Sequence, residues 1–322
     1  MSKKILLSGV KPTGLLHVGN YFGAIKQFVD FQDEYETIIF IADLHAITTV
    51  QDKDLLSKQI YDIAVDYMAC GLDPEKALIF KQSDIPEVAE LAWYFNCITT
   101  VPYLERAHAY KDAEAKGKEV NMGVFDYPIL MAADILIQDA DVVPVGKDQK
   151  QHIEYARDTA EKFNRVFNTE LFKLPKEMIV ESLAVVPGID GQKMSKSYGN
   201  VIPLFAERDE VKSLVMRIPT DSKGVDEEKN PEDMILYQIH KIFNGSEELF
   251  DSYKKGLSYK EAKEKLVEDI LAFSEPFRKR RAELHGNRDY VLDVLKKGGE
   301  RAKARVEAKM EKVRNAVGVK LY

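Results

Sequence analysis

Short apolar runs alternate with amphipathic stretches through the first two hundred residues of the chain. Four apolar runs, bounded by turn residues, predict β-strands: Ile5–Gly9, Thr37–Ala42, Ala77–Gln82 and Asp141–Val145. Between the first two runs, Phe22, Ile25 and Phe28 recur at helical spacing. This strand–helix–strand order favours an α/β fold with a doubly wound parallel sheet, which binds ligands at the carboxyl ends of its strands.

Helical periodicity dominates after Asn200. The predicted helices there are Glu207–Arg217, Pro231–Phe243, Tyr259–Phe273 and Glu300–Val317, and an earlier one is predicted over Glu87–Tyr110. In the last segment Ala302, Val306 and Met310 mark one packed face. We therefore expect a first domain over residues 1–200 and an all-helical domain over 201–322, whose last helix could pack back onto the first domain.

Charge is distributed unevenly along the chain. The net charge is −7, yet the segment from Phe277 to Tyr322 carries +8, so the rest carries −15. A basic end suits a polyanionic partner, whereas the alternative is a solvated helix with many charges; charge alone leaves both open. The two cysteines, Cys70 and Cys97, are too few for a zinc or iron–sulfur site and are expected to be reduced.

Compartment is indicated by the amino terminus. Its short apolar run ends at Lys11-Pro12, too early for the apolar region of a signal peptide, and no later segment is apolar enough to span a membrane. We therefore expect a cytoplasmic protein.

A glycine-bearing turn follows the first predicted strand, between Gly9 and Gly23. Such a turn, running into a helix, offers backbone N–H groups and a positive helix end to phosphate. His17 and Asn20, three residues apart, would project toward it. A histidine that donates to a phosphoryl oxygen stabilises the charged transition state of attack at phosphorus more than the ground state.

A second candidate segment lies far downstream, from Pro187 to Asn200. It contains Lys193-Met194-Ser195-Lys196-Ser197, with glycines on both sides that would let the segment close over a bound nucleotide. The two lysines could neutralise a leaving pyrophosphate.

Together, His17-Val18-Gly19-Asn20 and the lysine segment resemble the two signatures of class I aminoacyl-tRNA synthetases. Over nearly its whole length the chain resembles the bacterial tryptophanyl-tRNA synthetases, including the motifs at Asp43–Thr48 and Val145–His152. Lys11 and Lys147 depart from the family pattern by adding positive charge beside the nucleotide site. The resemblance implies a Rossmann-like catalytic domain, a helical tRNA/anticodon-binding domain and a homodimer formed by helices around residues 87–125.

Amino-acid specificity is indicated by the stretch from Asp126 to Asp134. If Pro128 starts a helix, Tyr127, Met131 and Asp134 share one face. A thioether beside a ring and a carboxylate at the end of the pocket suit indole, whose only polar ring group is a donor. Tyrosine enzymes of this kind carry glutamine at the position of Met131, so the sequence favours tryptophan.

The site residues implied by the resemblance fall into three groups. The catalytic residues are His17, Asn20, Lys193 and Lys196. The ATP-binding residues are Lys11, Pro12, Thr13, Gly19, Asn20, Gly146, Lys147, Asp148, Lys193, Met194, Ser195, Lys196 and Ser197. The tryptophan-binding residues are Asp134, Met131, Tyr127, Gln149, His45, Val143, Val145 and Gly9.

The implied reaction joins tryptophan to ATP and then to tRNA(Trp). Mg²⁺ would be held mainly by ATP and water, with no protein metal site. The basic string Arg278-Lys279-Arg280-Arg281 is the candidate tRNA contact. Two alternatives remain open: a tyrosine–tRNA ligase, and a non-catalytic synthetase-like regulator that binds tRNA or an amino acid.

Overall fold

The computed structural model describes residues 3–12, 14–107, 110–111, 120–146, 150–179, 186–222, 227 and 229–322. The site predictions at Thr13, Lys147, Asp148 and Gln149 lie outside these ranges.

The described residues form a five-stranded parallel sheet. Its strands are β1 (Ile5–Val10), β2 (Glu36–Ile41), β3 (Leu78–Lys81), β4 (Val142–Val145) and β5 (Lys176–Ile179). Their order across the sheet is β3-β2-β1-β4-β5, so the winding direction reverses between β1 and β4. The predicted doubly wound α/β fold is confirmed, and the reversal opens a crevice at the carboxyl ends of these two strands.

Four strands lie where the hydrophobic pattern predicts them, and β5 was missed. β5 begins with Lys176 and Glu177 and lies at the edge of the sheet. An edge strand of four residues with a polar start carries little apolar signal, because only one neighbour and one face need to be buried.

The helices pack on both faces of the sheet and, after residue 207, on one another. They are α1 (Val18–Asn20), α2 (Lys26–Phe31), α3 (Asp43–Ile47), α4 (Lys53–Ala69), α5 (Glu87–Ile98), α6 (Val101–Leu104), α7 (Met122–Ile137), α8 (Lys150–Val166), α9 (Arg208–Met216), α10 (Ile235–Phe243), α11 (Glu247–Lys254), α12 (Tyr259–Gly286) and α13 (Arg288–Val317), with a π-helical turn at Tyr21–Ile25. Among the described residues, no helix is both long and apolar enough to cross a bilayer.

Several predicted helix boundaries were wrong. The helix predicted over Glu87–Tyr110 breaks after Ile98, because Pro102 has no N–H to donate to the Ile98 carbonyl and its ring would clash with that group; Thr99 and Thr100 are extended. Pro128 lies inside α7 rather than in its first turn, since Asn121 caps that helix by accepting the Val124 N–H.

The two last helices are longer than predicted. Helix α12 continues through Pro276 to Gly286, and α13 already begins at Arg288.

Helix α13 packs back across the sheet. Its buried residues Ala302, Val306 and Met310 join the hydrophobic core formed by one face of the sheet with α5, α7 and α8. At Gly298 the helix backbone approaches β3 so closely that a Cβ would lie 1.8 Å from the Ile79 carbonyl oxygen. The edge of the sheet at β3 is therefore covered by the last helix.

Ion pairs join the basic end of the chain to its acidic body. Five basic side chains of α12 and α13 pair with carboxylates among residues 36–139: Arg281 with Asp66, Lys303 with Glu87, Arg305 with Glu36, Lys309 with Asp139 and Arg314 with Glu90. These five basic side chains are therefore not free for a partner, because their ion pairs hold α12 and α13 against the rest of the chain.

Candidate active site

A cavity of about 390 Å³ opens beside β1, at the carboxyl ends of the strands. Its lining residues are Leu7, Ser8, Gly9, Lys11, Phe40, Ala42, His45, Thr48, Thr49, Val124, Tyr127, Met131, Asp134, Ile135 and Val143. Six of the predicted tryptophan-binding residues line it: Gly9, His45, Tyr127, Met131, Asp134 and Val143. Val145 instead packs against the sheet core and is absent from this lining.

Asp134 is a buried carboxylate at the wall of this cavity, with 4% of its surface exposed. His45 Nε2 lies 3.0 Å from Asp134 Oδ2, and Gln82 Nε2 donates to both carboxylate oxygens at 2.9 and 2.8 Å. Burial raises the pKa of Asp134, and the hydrogen bonds from His45 and Gln82 oppose that rise. These bonds leave acceptor capacity on the carboxylate for a further donor.

Gln82 orients both partners of this network and was missed in the sequence. Its side-chain oxygen accepts the backbone N–H groups of Leu44 and His45 at 3.1 and 3.3 Å, while its amide nitrogen holds Asp134. It follows β3 directly and is 1% exposed. A polar residue immediately after a buried parallel strand was the available signal.

Polar side chains also line the mouth of the cavity. The Tyr127 hydroxyl lies 2.5 Å from His152 Nε2, and Lys11 Nζ donates to Thr48 Oγ1 at 3.2 Å. Burial lowers the pKa of Lys11. A cation therefore stands where the cavity meets the turn after β1.

The turn after β1 forms a compact unit around His17. The His17 N–H donates to Asn20 Oδ1 at 3.1 Å, and the His17 carbonyl accepts the Asn20 N–H at 2.8 Å. The imidazole is buried, and its Nδ1 has no hydrogen-bond partner among the described residues. Burial, aided by the positive charge of Lys196, lowers the pKa of His17 to about 4, so the ring is neutral at pH 7.

The lysine segment lies against this turn. The Val18 N–H donates to the Ile202 carbonyl at 2.9 Å, and the Leu204 N–H donates to the Leu16 carbonyl at 3.0 Å. The Gly19 N–H points at the Met194 sulfur, 3.3 Å away. A Cβ at Gly19 would lie 3.0 Å from His17 Nδ1, so this glycine makes room for the imidazole and for Met194.

Lys196 extends from this segment toward the glycine turn. Its Nζ would lie 3.8 Å from a Cβ built on Gly14, and burial lowers the pKa of its amine. Lys193 and Ser197 are exposed, and the hydroxyls of Ser195 and Ser197 are 2.8 Å apart. The two signatures, 176 residues apart at His17 and Lys193, are thus neighbours in the fold.

Asn200 organises the lysine segment and was also missed. It is 1% exposed, and its side-chain oxygen accepts the Ser195 N–H at 2.8 Å. Its amide nitrogen donates to Asp190 Oδ1 at 2.8 Å and to the Lys193 carbonyl at 3.2 Å. One buried amide therefore fixes the backbone on both sides of Lys193.

Other predicted positions stand apart from the cavity. Pro12 is buried in the turn after β1, and Gly146 is exposed just after β4, before the undescribed positions 147–149. Of the basic string, Arg278 donates to the Ala206 carbonyl, Arg280 to the Met68 carbonyl and Arg281 to Asp66. These three guanidinium groups bind the protein itself, which weakens the string as a candidate tRNA contact.

Within the described ranges, no group of three or more histidine, cysteine or carboxylate side chains is arranged to hold a metal ion. The groups near the glycine turn are instead an imidazole and lysines, which suit phosphate oxygens.

A family model described as class I tRNA synthetases (W and Y) matches residues 2–276. A tryptophan–tRNA ligase of Fusobacterium nucleatum is 50% identical to this chain, with 97% of each chain covered. One from Rhodopirellula baltica is 45% identical over 98% of this chain and 99% of the relative. The crystal structure of the Campylobacter jejuni tryptophanyl-tRNA synthetase with ADP and tryptophan superposes with a TM-score of 0.93 at 41% identity, covering 98% and 99% of the chains.

Proposed function

The chain belongs to the class I tRNA synthetases and, within them, to the tryptophan–tRNA ligases, and from that premise we propose how its residues carry the reaction. The enzyme activates tryptophan with ATP and transfers it to tRNA(Trp), as the sequence predicted. The relatives at 45–50% identity are tryptophan enzymes, which decides against the tyrosine alternative.

Asp134 is the observation that carries the assignment of the amino-acid pocket. A buried carboxylate, oriented by Gln82 and His45, closes an apolar cavity that contains Met131. The indole N–H donates to Asp134, and the thioether of Met131 packs on the ring. A side chain without that donor leaves the carboxylate short of a partner in a dry site, which disfavours phenylalanine.

The nucleotide lies along the turn after β1. His17 donates to an α-phosphate oxygen while the tryptophan carboxylate attacks phosphorus, and Asn20 keeps the turn in place. The bond from the α-phosphorus to the bridging oxygen breaks, and pyrophosphate leaves with that oxygen and its electron pair. Lys193 and Lys196 stabilise the departing negative charge. The 2′ or 3′ hydroxyl of the terminal adenosine of tRNA then attacks the tryptophanyl carbonyl and releases AMP.

The remaining predicted contacts complete this assignment. Lys11, Pro12, Thr13 and Gly19 with Met194, Ser195 and Ser197 border the phosphates, while Gly146, Lys147 and Asp148 border the ribose. Tyr127 and Gln149 hold the ammonium and carboxylate of tryptophan.

Mg²⁺ enters with ATP. The phosphates and water would be the main ligands of the ion. Bound in this way, Mg²⁺ supplies charge neutralisation at the phosphates.

The variant Asp134→Asn tests the pocket assignment. The amide keeps the shape of the carboxylate but removes its charge, so we expect the KM for tryptophan in ATP–pyrophosphate exchange to rise by roughly 10- to 100-fold, the range for a hydrogen bond to a charged group. The KM for ATP should change less than about twofold, because the hydrogen-bond partners of Asp134 are His45 and Gln82, neither of which belongs to the glycine turn.

Asp126→Asn is the matched control. Asp126 lies on the same helix and accepts from Asn96, but it does not line the cavity. The assignment is contradicted if Asp134→Asn raises both KM values equally. It is also contradicted if Asp126→Asn raises the KM for tryptophan by a similar factor.

A homodimer is supported by exposed apolar side chains in the middle of α5 and at the amino ends of α6 and α7. Trp93, Val101 and Met122 expose 67%, 59% and 72% of their surfaces.

Residues 1–200 form the catalytic domain, and residues 201–322 form the tRNA/anticodon-binding domain that reads its tRNA across the dimer. The reaction takes place in the cytoplasm, where tRNA and ATP are available.

A further inference from the structure

A basic groove lies between α4 and the corner where α12 meets α13, outside the active-site cavity. It joins two adjacent cavities of about 460 and 530 Å³ that share Ser57, Tyr61 and Arg288. The charged residues lining this basic groove are Lys58, Lys81, Arg281, Arg288, Lys296 and Lys303, with Asp62, Asp84 and Glu300. The groove is therefore net positive on a chain that is net negative.

Two of these cations differ from the others. Lys58, Lys81, Arg281 and Lys303 are each paired with a carboxylate. Arg288 and Lys296 have no carboxylate within 4.0 Å among the described residues. Eight residues apart on α13, they are about 12 Å apart along the helix axis. Two uncompensated cations thus face one groove.

Tyr61 provides an independent sign of a missing ligand. Its side chain lines both cavities and is only 8% exposed. The hydroxyl is buried and has no hydrogen-bond partner among the described residues. The Arg288 guanidinium lies over the ring, 4.3 Å from its centre. Burying a hydroxyl without a partner is costly, so a bound acceptor next to Arg288 would remove that cost.

We propose that the basic groove binds the phosphodiester backbone of the tRNA substrate, with Arg288 and Lys296 on phosphate oxygens and the Tyr61 hydroxyl donating to one of them. The proposal rests on the proposed function for its ligand. The continuity of two adjacent cavities and the separation of the two cations favour a strand with several phosphates over a single small anion. The contact is to backbone and carries no base sequence information.

The test compares tRNA(Trp) binding at a series of salt concentrations. The double variant Arg288→Gln/Lys296→Gln should weaken binding roughly tenfold and reduce the slope of log K against log salt by about 2, one for each lost phosphate contact. A non-cognate tRNA should lose affinity by a similar factor, because backbone contacts are independent of sequence. Lys297→Gln is the control for the loss of one positive charge from the same helix, because Lys297 is already paired with Asp293. An unchanged slope in the double variant overturns the proposal.

Tyr61→Phe separates a ligand contact from a structural role. If the hydroxyl serves the ligand, the free variant keeps or raises its melting temperature, because an unpartnered buried group is removed, and it binds tRNA several-fold more weakly. A lowered melting temperature with unchanged tRNA binding shows instead that the hydroxyl is satisfied within the protein, and contradicts the proposal.

Small anions and the reaction itself provide the remaining arms. Inorganic phosphate at millimolar concentration should not bind saturably to the groove. Saturable phosphate binding that is lost in the double variant identifies a small-anion site and contradicts the proposal. Tryptophan-dependent ATP–pyrophosphate exchange, which needs no tRNA, should be unchanged in all these variants. Absence of ATP–pyrophosphate exchange in the wild-type protein contradicts the proposed function. Normal exchange together with unchanged tRNA binding in the double variant contradicts only the proposal for the basic groove.

Discussion

At the scale of single residues, the neutral, buried imidazole of His17 limits the positive charge in the turn after β1. His17 is 7% exposed and lies near Lys196, so both desolvation and the lysine charge oppose its protonation. A neutral ring can donate one proton in a hydrogen bond without bringing a second cation beside the lysine. The folded protein therefore binds fewer protons at this residue than the unfolded chain between pH 6.5 and about 4.

This difference predicts a pH dependence of stability. The stabilisation associated with a neutral His17 is fully present above pH 6.5 and is lost as the pH falls toward 4. The expected decrease in the free energy of unfolding is about 1–3 kcal/mol. Urea denaturation of the wild type and of His17→Gln at pH 7 and pH 4.5 measures it: the loss on acidification should be smaller in the variant. Asn20→Ala disturbs the same turn without removing a titrating group and should keep the wild-type loss. An equal loss in His17→Gln and the wild type contradicts the lowered pKa.

The residues named from the sequence were those with an unusual side chain in a recognisable string, such as Asp134 and Lys196. Gln82 and Asn200 were missed because glutamine and asparagine are commonly exposed, and their role depends on burial beside partners distant in sequence. Gly19 was predicted to bind ATP, and the atoms nearest to a Cβ built on it belong to His17 and Met194. Local spacing does not show which neighbour the tertiary fold brings to a glycine.

At the scale of elements, two successive glycines seat the last helix on the sheet. A Cβ at Gly298 would collide with the Ile79 carbonyl, and one at Gly299 would lie 2.8 Å from Asp84 Cβ. Glycine in a helix interior is unfavourable by about 1 kcal/mol relative to alanine. Here that cost is offset by the close contact between α13 and β3.

Gly298→Ala should therefore destabilise the protein, although alanine is the better helix former. We expect a loss of about 2 kcal/mol or more in the free energy of unfolding, because the clash is with backbone and only a shift of the helix relieves it. Gly286→Ala is the control: no atom lies within 4 Å of its added Cβ, so stability should stay level or rise by up to about 1 kcal/mol. Equal effects of the two substitutions, measured by denaturant titration, contradict the close seating of α13.

The same glycines explain a boundary that the sequence misplaced. The strands with continuous apolar runs were predictable, because a buried parallel strand needs such residues along its length. The helical pattern of α13 is interrupted at Gly298 and Gly299, so only the part after Glu300 was predicted. Glycines that break a helical pattern in sequence can be required by packing in the fold.

At the scale of the whole molecule, part of the charge asymmetry has an internal role. The pairs from Arg281 to Arg314 join the basic end to the acidic body, so neither interpretation of the charge pattern was sufficient. Pairs such as Arg314 with Glu90, in which the guanidinium donates to both carboxylate oxygens, also fix orientation. The uncompensated Arg288 and Lys296 are then distinct from most of the basic end.

Assembly gives a prediction at this scale. Trp93→Glu places a charge in the exposed apolar face of α5 and should shift the protein from dimer to monomer at micromolar concentration, as sedimentation velocity would show. Leu174→Glu alters another exposed apolar residue, 43% exposed and not part of α5, and should leave the dimer intact. A wild-type protein that sediments as a monomer contradicts the proposed homodimer.

The return of α13 to β3 has a consequence for synthesis. A ribosome extends the chain from its amino end, so the five strands emerge well before Ala302, Val306 and Met310 can cover them. Until those residues leave the exit tunnel, the nascent sheet presents an apolar surface and an open edge at β3. A chaperone that shields unfinished chains would find its binding site there, and a message cut short before codon 302 would yield a product prone to precipitate.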